Sequence, residues 1–247
     1  MEGHKRRNGT MRQRKYQIKA RFYVFLSLFL AVALGVTAYV LFSQDEIDLA
    51  PSKEIEQGFM ITMAARAYIS NEELRYEDTY FAGGYPPDDI GVCTDVVWKA
   101  FEGIDVSIKD LVDADTYYYP KAYVDVISIR DTNIDFRLVP QLERFFERNS
   151  KVLSTDVDNL IVWQAGDIVT FESSHVAIVS PFRNLWGRSY VIQHGKDPAA
   201  EEDRLFAADG MKVSGHFRWD ENAVKKILWN WPIEEQEEAK LYIDIER

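Results

Sequence analysis

The chain has a single cysteine in 247 residues. An internal disulfide is therefore excluded, although oxidising compartments usually carry cysteines in pairs. Histidine is also scarce, with four copies: His4, His175, His194 and His216. One cysteine and widely spread histidines lack the ligand spacing of a closed zinc site, and no metal or other cofactor is expected. There is no glycine-rich phosphate loop and no dinucleotide fingerprint. Gly-x-Ser-x-Gly is missing as well, which leaves a serine hydrolase unsupported. Internal repeats and low-complexity tracts are absent.

Positive charge is short everywhere except at the start. Residues 1–21 carry eight Lys or Arg against one acid, Glu2. Residues 22–43 follow as an apolar run without charge, and about 20 such residues span a bilayer. The basic flank places the N-terminus in the cytoplasm and the rest outside. A cleaved signal would have a shorter apolar region and a small-residue cleavage site. Here the run closes on Tyr39-Val40-Leu41-Phe42, so an uncleaved single-pass anchor in the cell membrane is the reading adopted. The organisation expected is a cytoplasmic tail (1–21), an anchor (22–43), a linker (44–54) and an extracytoplasmic domain (55–247). Outside the tail, 21 basic residues face 39 acidic ones, a formal charge of −18. That surface excludes nucleic acid as a partner.

Apolar spacing predicts helices over 55–69, with Ile55, Phe59, Met63 and Ala67 on the packed side, and over 93–101, 105–119 and 139–148. Residues 123–129 alternate loosely and read as strand or helix. After Ser154 the pattern changes to short strands over 168–171, 175–180 and 190–194, joined by turns. Edge strands are expected at 215–219 and 240–245. Helices followed by an antiparallel meander make an α+β domain.

The stretch Gly91-Val92-Cys93-Thr94-Asp95-Val96-Val97 follows a loop with two Gly and two Pro and opens a helix. Unpaired N–H groups and the dipole at a helix start favour a thiolate. A lone exported cysteine is a core residue, an intermolecular link or a reactive group, and this position favours the last. Cysteine catalysis needs a base and a group that orients the base. His175 opens a strand after a Ser-Ser turn. Gln193 and His194 end the next strand and project to opposite faces, so one of the two can meet His175. Asp95 stabilises the helix start but opposes a thiolate. Asp135 and Arg137 are expected to pair, and Asp167 to serve its turn.

This set resembles the NlpC-type branch of the papain-like cysteine peptidases, the bacterial cell-wall hydrolases. The matching residues are Cys93, then Gly166-Asp167-Ile168-Val169, then His175-Val176-Ala177-Ile178-Val179, then Val191-Ile192-Gln193-His194. A bacterial domain-of-unknown-function family in the same superfamily matches more closely, through Val92-Cys93-Thr94-Asp95, Ile134-Asp135-Phe136-Arg137 with Val139-Pro140, and Gly215-His216-Phe217-Arg218-Trp219. The resemblance covers about residues 55–219. It implies a papain-like fold, Cys93 as nucleophile, His175 as base, and an amide in peptidoglycan stem peptides as substrate. For the third residue, a Val-Ile-x alignment points to Gln193, and matching histidine to histidine points to His194, the residue preferred here. Tyr85 lies where related enzymes carry a tyrosine near the cleft. Asp95 and His216 join it as candidate binding residues, His216 with packing against aromatics as its other role. Thr94-Asp95 departs from the usual Ser-Gly after the nucleophile. The alternatives are a non-catalytic scaffold on the same fold, with an envelope protein as partner, and a thioester-forming acyltransferase.

Overall fold

The computed structural model describes residues 23, 25–35, 52–205, 210–220 and 222–228. The chain divides into two units, Met1–Ala50 and Pro51–Arg247. In the first, residues 25–35 are helical and their side chains are exposed. Among the described residues no helix is long and apolar enough to cross a membrane. The expected anchor over 22–43 lies partly outside the described residues. The tail, most of the linker and the expected strand over 240–245 lie wholly outside them.

The second unit is mixed α+β with an antiparallel sheet. Helix α1 (Lys53–Ile69) starts at Ser52, whose hydroxyl accepts the Ile55 N–H. Strands β1 (Arg75–Tyr76) and β2 (Ile90–Gly91) form a two-residue parallel ladder. Helices α2 (Cys93–Glu102), α3 (Ile108–Tyr118) and α4 (Val139–Asn149) follow. Helix α3 begins later than its apolar pattern suggests. Asp105 takes a left-handed φ of 56°, and Ser107 then caps the helix through the Asp110 N–H. Residues 123–129 form turns, neither strand nor helix.

Strands β3 (Lys151–Val152), β4 (Ile168–Phe171), β5 (His175–Arg183), β6 (Ser189–Gln193), β7 (Ala200–Glu202) and β8 (Val213–Arg218) make one sheet. Their order is β3-β8-β4-β5-β6-β7, and every pairing is antiparallel. The expected meander is present. The expected edge strand at 215–219 is instead β8, inside the sheet between β3 and β4. Two-residue β3 gave no periodic signal in the sequence.

Alternation along the strands sends Ile168, Val176, Ile178 and Ile192 into the cluster shared with α2, α3 and α4. It sends Val169, Phe171, Ala177, Val179 and Val191 into a second cluster with Trp163 and Leu205. Helix α1 packs on the side opposite to the expected one. Ile61, Thr62 and Ala65 are buried, whereas Ile55, Phe59 and Met63 are about half exposed. Glycine explains the choice. A Cβ at Gly58 would come within 2.3 Å of the Ala165 carbonyl oxygen, and one at Gly166 within 2.3 Å of the Gly58 oxygen. The two backbones touch, and only that face of α1 permits it. Gly58→Ala should therefore cost about 1–3 kcal/mol by overpacking, read from the denaturant midpoint. An unchanged midpoint would mean that the helix shifts freely.

Candidate functional site

The site begins where β2 runs into α2. Gly91 is required there, because a Cβ would sit 2.0 Å from the Tyr68 hydroxyl. Val92 is the residue before the helix, and valine has no side-chain acceptor for the first turn. Asp95 replaces it by reaching back to the Val92 N–H at 2.8 Å. The same carboxylate accepts the Trp98 indole N–H at 2.7 Å and both Nε and an Nη of Arg137, each at 2.7 Å. Asp95 is fully buried. It is taken up by internal partners, so the expectation that it lines a binding site is corrected. Arg137 stands at the end of a 3-10 turn, Asp135–Arg137. Its partner is Asp95, not Asp135, which accepts the Asp131 N–H at 2.9 Å.

Cys93 is the first residue of α2 and only 7% exposed. Burial pushes its thiol up to about 11, against the N–H groups of Val176, Thr94 and Cys93 itself, which favour the anion. The nearby Asp95 charge adds to the rise. A thiolate favoured by the helix start is thus overruled by desolvation, and the resting group is a thiol. Cys93 shares the core cluster with Val176, the residue directly after His175 on β5.

His175 is nearly buried. Its Nε2 lies 2.6 Å from Gln193 Oε1. Gly195 lies against the ring, and a Cβ there would approach His175 Cε1 to 3.1 Å. A small cavity of about 90 Å³ opens beside His175, Gln193 and Gly195. His194 is fully buried and bonds Asp197 through Nε2 at 3.2 Å. The preference for His194 as the partner of His175 is therefore corrected. Strand alternation turns Gln193, not His194, toward His175.

Tyr76 is the residue that sequence reasoning missed. Its phenol is pushed up by burial first, and by Cys93 second whenever the thiol ionises. Its ring stands edge-on to His194 at 5.4 Å. The signal would have been the β1–β2 ladder, which sets Tyr76 opposite Gly91, but two-residue strands leave no periodicity. Tyr85 takes no such place. It packs on Trp98 at 4.9 Å and on Phe136 at 5.6 Å, at a separate cavity of about 180 Å³ with Lys99 and Lys109.

A family model described as a domain of unknown function, DUF1287, matches residues 62–219. The chain belongs to the DUF1287 family. It is 34% identical over 169 residues to the uncharacterized protein YijF of Escherichia coli strain K12, covering 64% of this chain and 80% of YijF. No solved structure matches. The matched DUF1287 segment holds Cys93, His175 and Gln193 and leaves the apolar run outside.

His216, near the end of the DUF1287 segment, is fully buried and does not line the cysteine site. Its ring stacks on Trp163 at 3.7 Å. Nε2 meets Asp167 Oδ2 at 2.8 Å and Nδ1 meets the Ser154 carbonyl at 2.7 Å. Asp167 also takes Arg218 through two bonds and the Gln164 N–H at 2.8 Å. The cluster pins the turn before β4 to β8, so the binding role expected for His216 is corrected to packing. Among the described residues no group of three or more His, Cys, Asp or Glu is placed to hold a metal ion.

Proposed function

We propose that the chain is a membrane-anchored, extracytoplasmic cysteine hydrolase of the papain-like, NlpC-type kind, cleaving an amide bond in peptidoglycan stem peptides. One observation carries the reading. Cys93 shares the core cluster with Val176 of β5, and the adjacent His175 is oriented by Gln193. The helix that Cys93 opens packs on the two strands that carry His175 and Gln193. The exposed apolar side chains of the helix over 25–35 suit a segment placed in lipid.

Because the resting group is a thiol, proton loss accompanies attack. His175 takes the Cys93 proton as the sulfur bonds to the amide carbonyl carbon. N–H groups at the start of α2 stabilise the oxyanion. The C–N bond breaks as His175 returns the proton to the leaving amine. Water, deprotonated by His175, then splits the thioester, releasing the acid and restoring the thiol.

The test is incubation of the full chain with purified stem peptides and mass analysis of the products. Cys93→Ala and His175→Ala should each lower cleavage by about 10³-fold or more. Unimpaired cleavage by Cys93→Ala would end the proposal. A scaffold role is favoured by the burial of Cys93, and binding of intact stem peptides without cleavage is the result that would establish it.

A further inference from the structure

We propose that Glu202 is a positioning residue that fixes the tautomer of His175 through Gln193. The inference rests on the hydrolase reading for its use, but its geometry stands apart from that reading. Strand β7 pairs with β6 so that Val191 faces Glu202 and Gln193 faces Ala200. Alternation then divides two neighbouring acids. Glu201 turns to Arg66 of α1, at 2.6 Å. Glu202 turns to the face that carries Gln193, and its Oε1 accepts the Gln193 Nε2 bond at 2.7 Å. Arg204 Nε lies 3.1 Å from the other carboxylate oxygen, which holds the acid in place.

A side-chain amide has a donor end and an acceptor end, and nothing in its shape says which faces His175. Glu202 decides. An ionised carboxylate only accepts, so it takes the amide NH2. The reversed amide would set its oxygen against the carboxylate. The amide oxygen therefore faces His175, and His175 Nε2 must carry the proton. The lone pair is left on Nδ1, the ring nitrogen nearer the chain, one residue from Val176, which shares the core cluster with Cys93. A fixed base tautomer is what general-base catalysis requires. Gln193 alone would transmit no preference.

The experiment uses the full chain in detergent micelles, labelled with 15N at histidine. The His175 signals are assigned by their loss in His175→Ala. Wild type should show Nε2 protonated and Nδ1 bare. Glu202→Ala should give a mixture of tautomers and, with stem peptide, a kcat about tenfold lower at unchanged KM, part of the base contribution. Glu202→Gln, which keeps the volume and an acceptor oxygen, should restore most of both. A Glu202→Ala protein that is folded and retains the wild-type tautomer overturns the inference. Absence of cleavage by wild type would count against the hydrolase reading alone, because the tautomer is read without substrate.

Discussion

Replacing Arg137 with alanine should destabilise the protein by about 3–5 kcal/mol, the largest single effect expected in this domain. The Asp95 carboxylate is wholly buried, and Arg137 bonds both of its oxygens. Removing the cation leaves a buried anion with only the Val92 amide and the Trp98 indole as donors. Arg137→Lys should recover only part of the loss, since one ammonium cannot reproduce the two-pronged contact. The double variant Asp95→Asn/Arg137→Ala should be less damaging than Arg137→Ala alone, because no charge is then stranded. Denaturant melts of wild type, these three variants and Asp95→Asn alone measure this. Additive losses would mean that the two residues act independently.

The second large effect concerns Cys93 and pH. At pH 8 the folded thiol, held near 11, should react with iodoacetamide about 10²-fold more slowly than in the unfolded chain. The rate should climb about tenfold per pH unit until near pH 11. Its being the sole cysteine makes the mass shift unambiguous. Stability follows the same shift. Below pH 9 the thiol is neutral whether folded or unfolded, so the protein keeps its full stability. From pH 9 to 11 only the unfolded chain ionises, and about 2–3 kcal/mol is lost. Cys93→Ala should lack that part of the alkaline decline. A reaction rate that levels off well below pH 8.5 would show an ionised cysteine and overturn the protonated resting state.

The sheet was legible because β4 to β6 carry unbroken apolar runs between turn residues, and the helices because Val96, Val97, Ala100 and Phe101 repeat at helical spacing. The Cys93 and His175 candidates were legible for the same reason: each opens an element whose start is marked. What failed to show depends on contacts distant in sequence. Arg137 bonds Asp95, 42 positions earlier, while its neighbour Asp135 turns back to accept the Asp131 N–H. The side of α1 that packs was set by a meeting of Gly58 with Gly166, invisible to any periodicity. Gln193 displaced His194 because register, fixed by the β5–β6 pairing, decides which of two adjacent residues faces a third.

The helix carrying the cysteine is held at its start by a residue 42 positions later, and the cysteine packs in a cluster with residues later still. Such a site has an order of arrival. A chain that emerges N-terminus first exposes Cys93 long before Arg137, His175 and Glu202 have followed. Until the last of them is out, the cysteine has neither its anchored helix nor the strand that helix packs against. A protein built this way completes the surroundings of its cysteine only when most of the chain has been made.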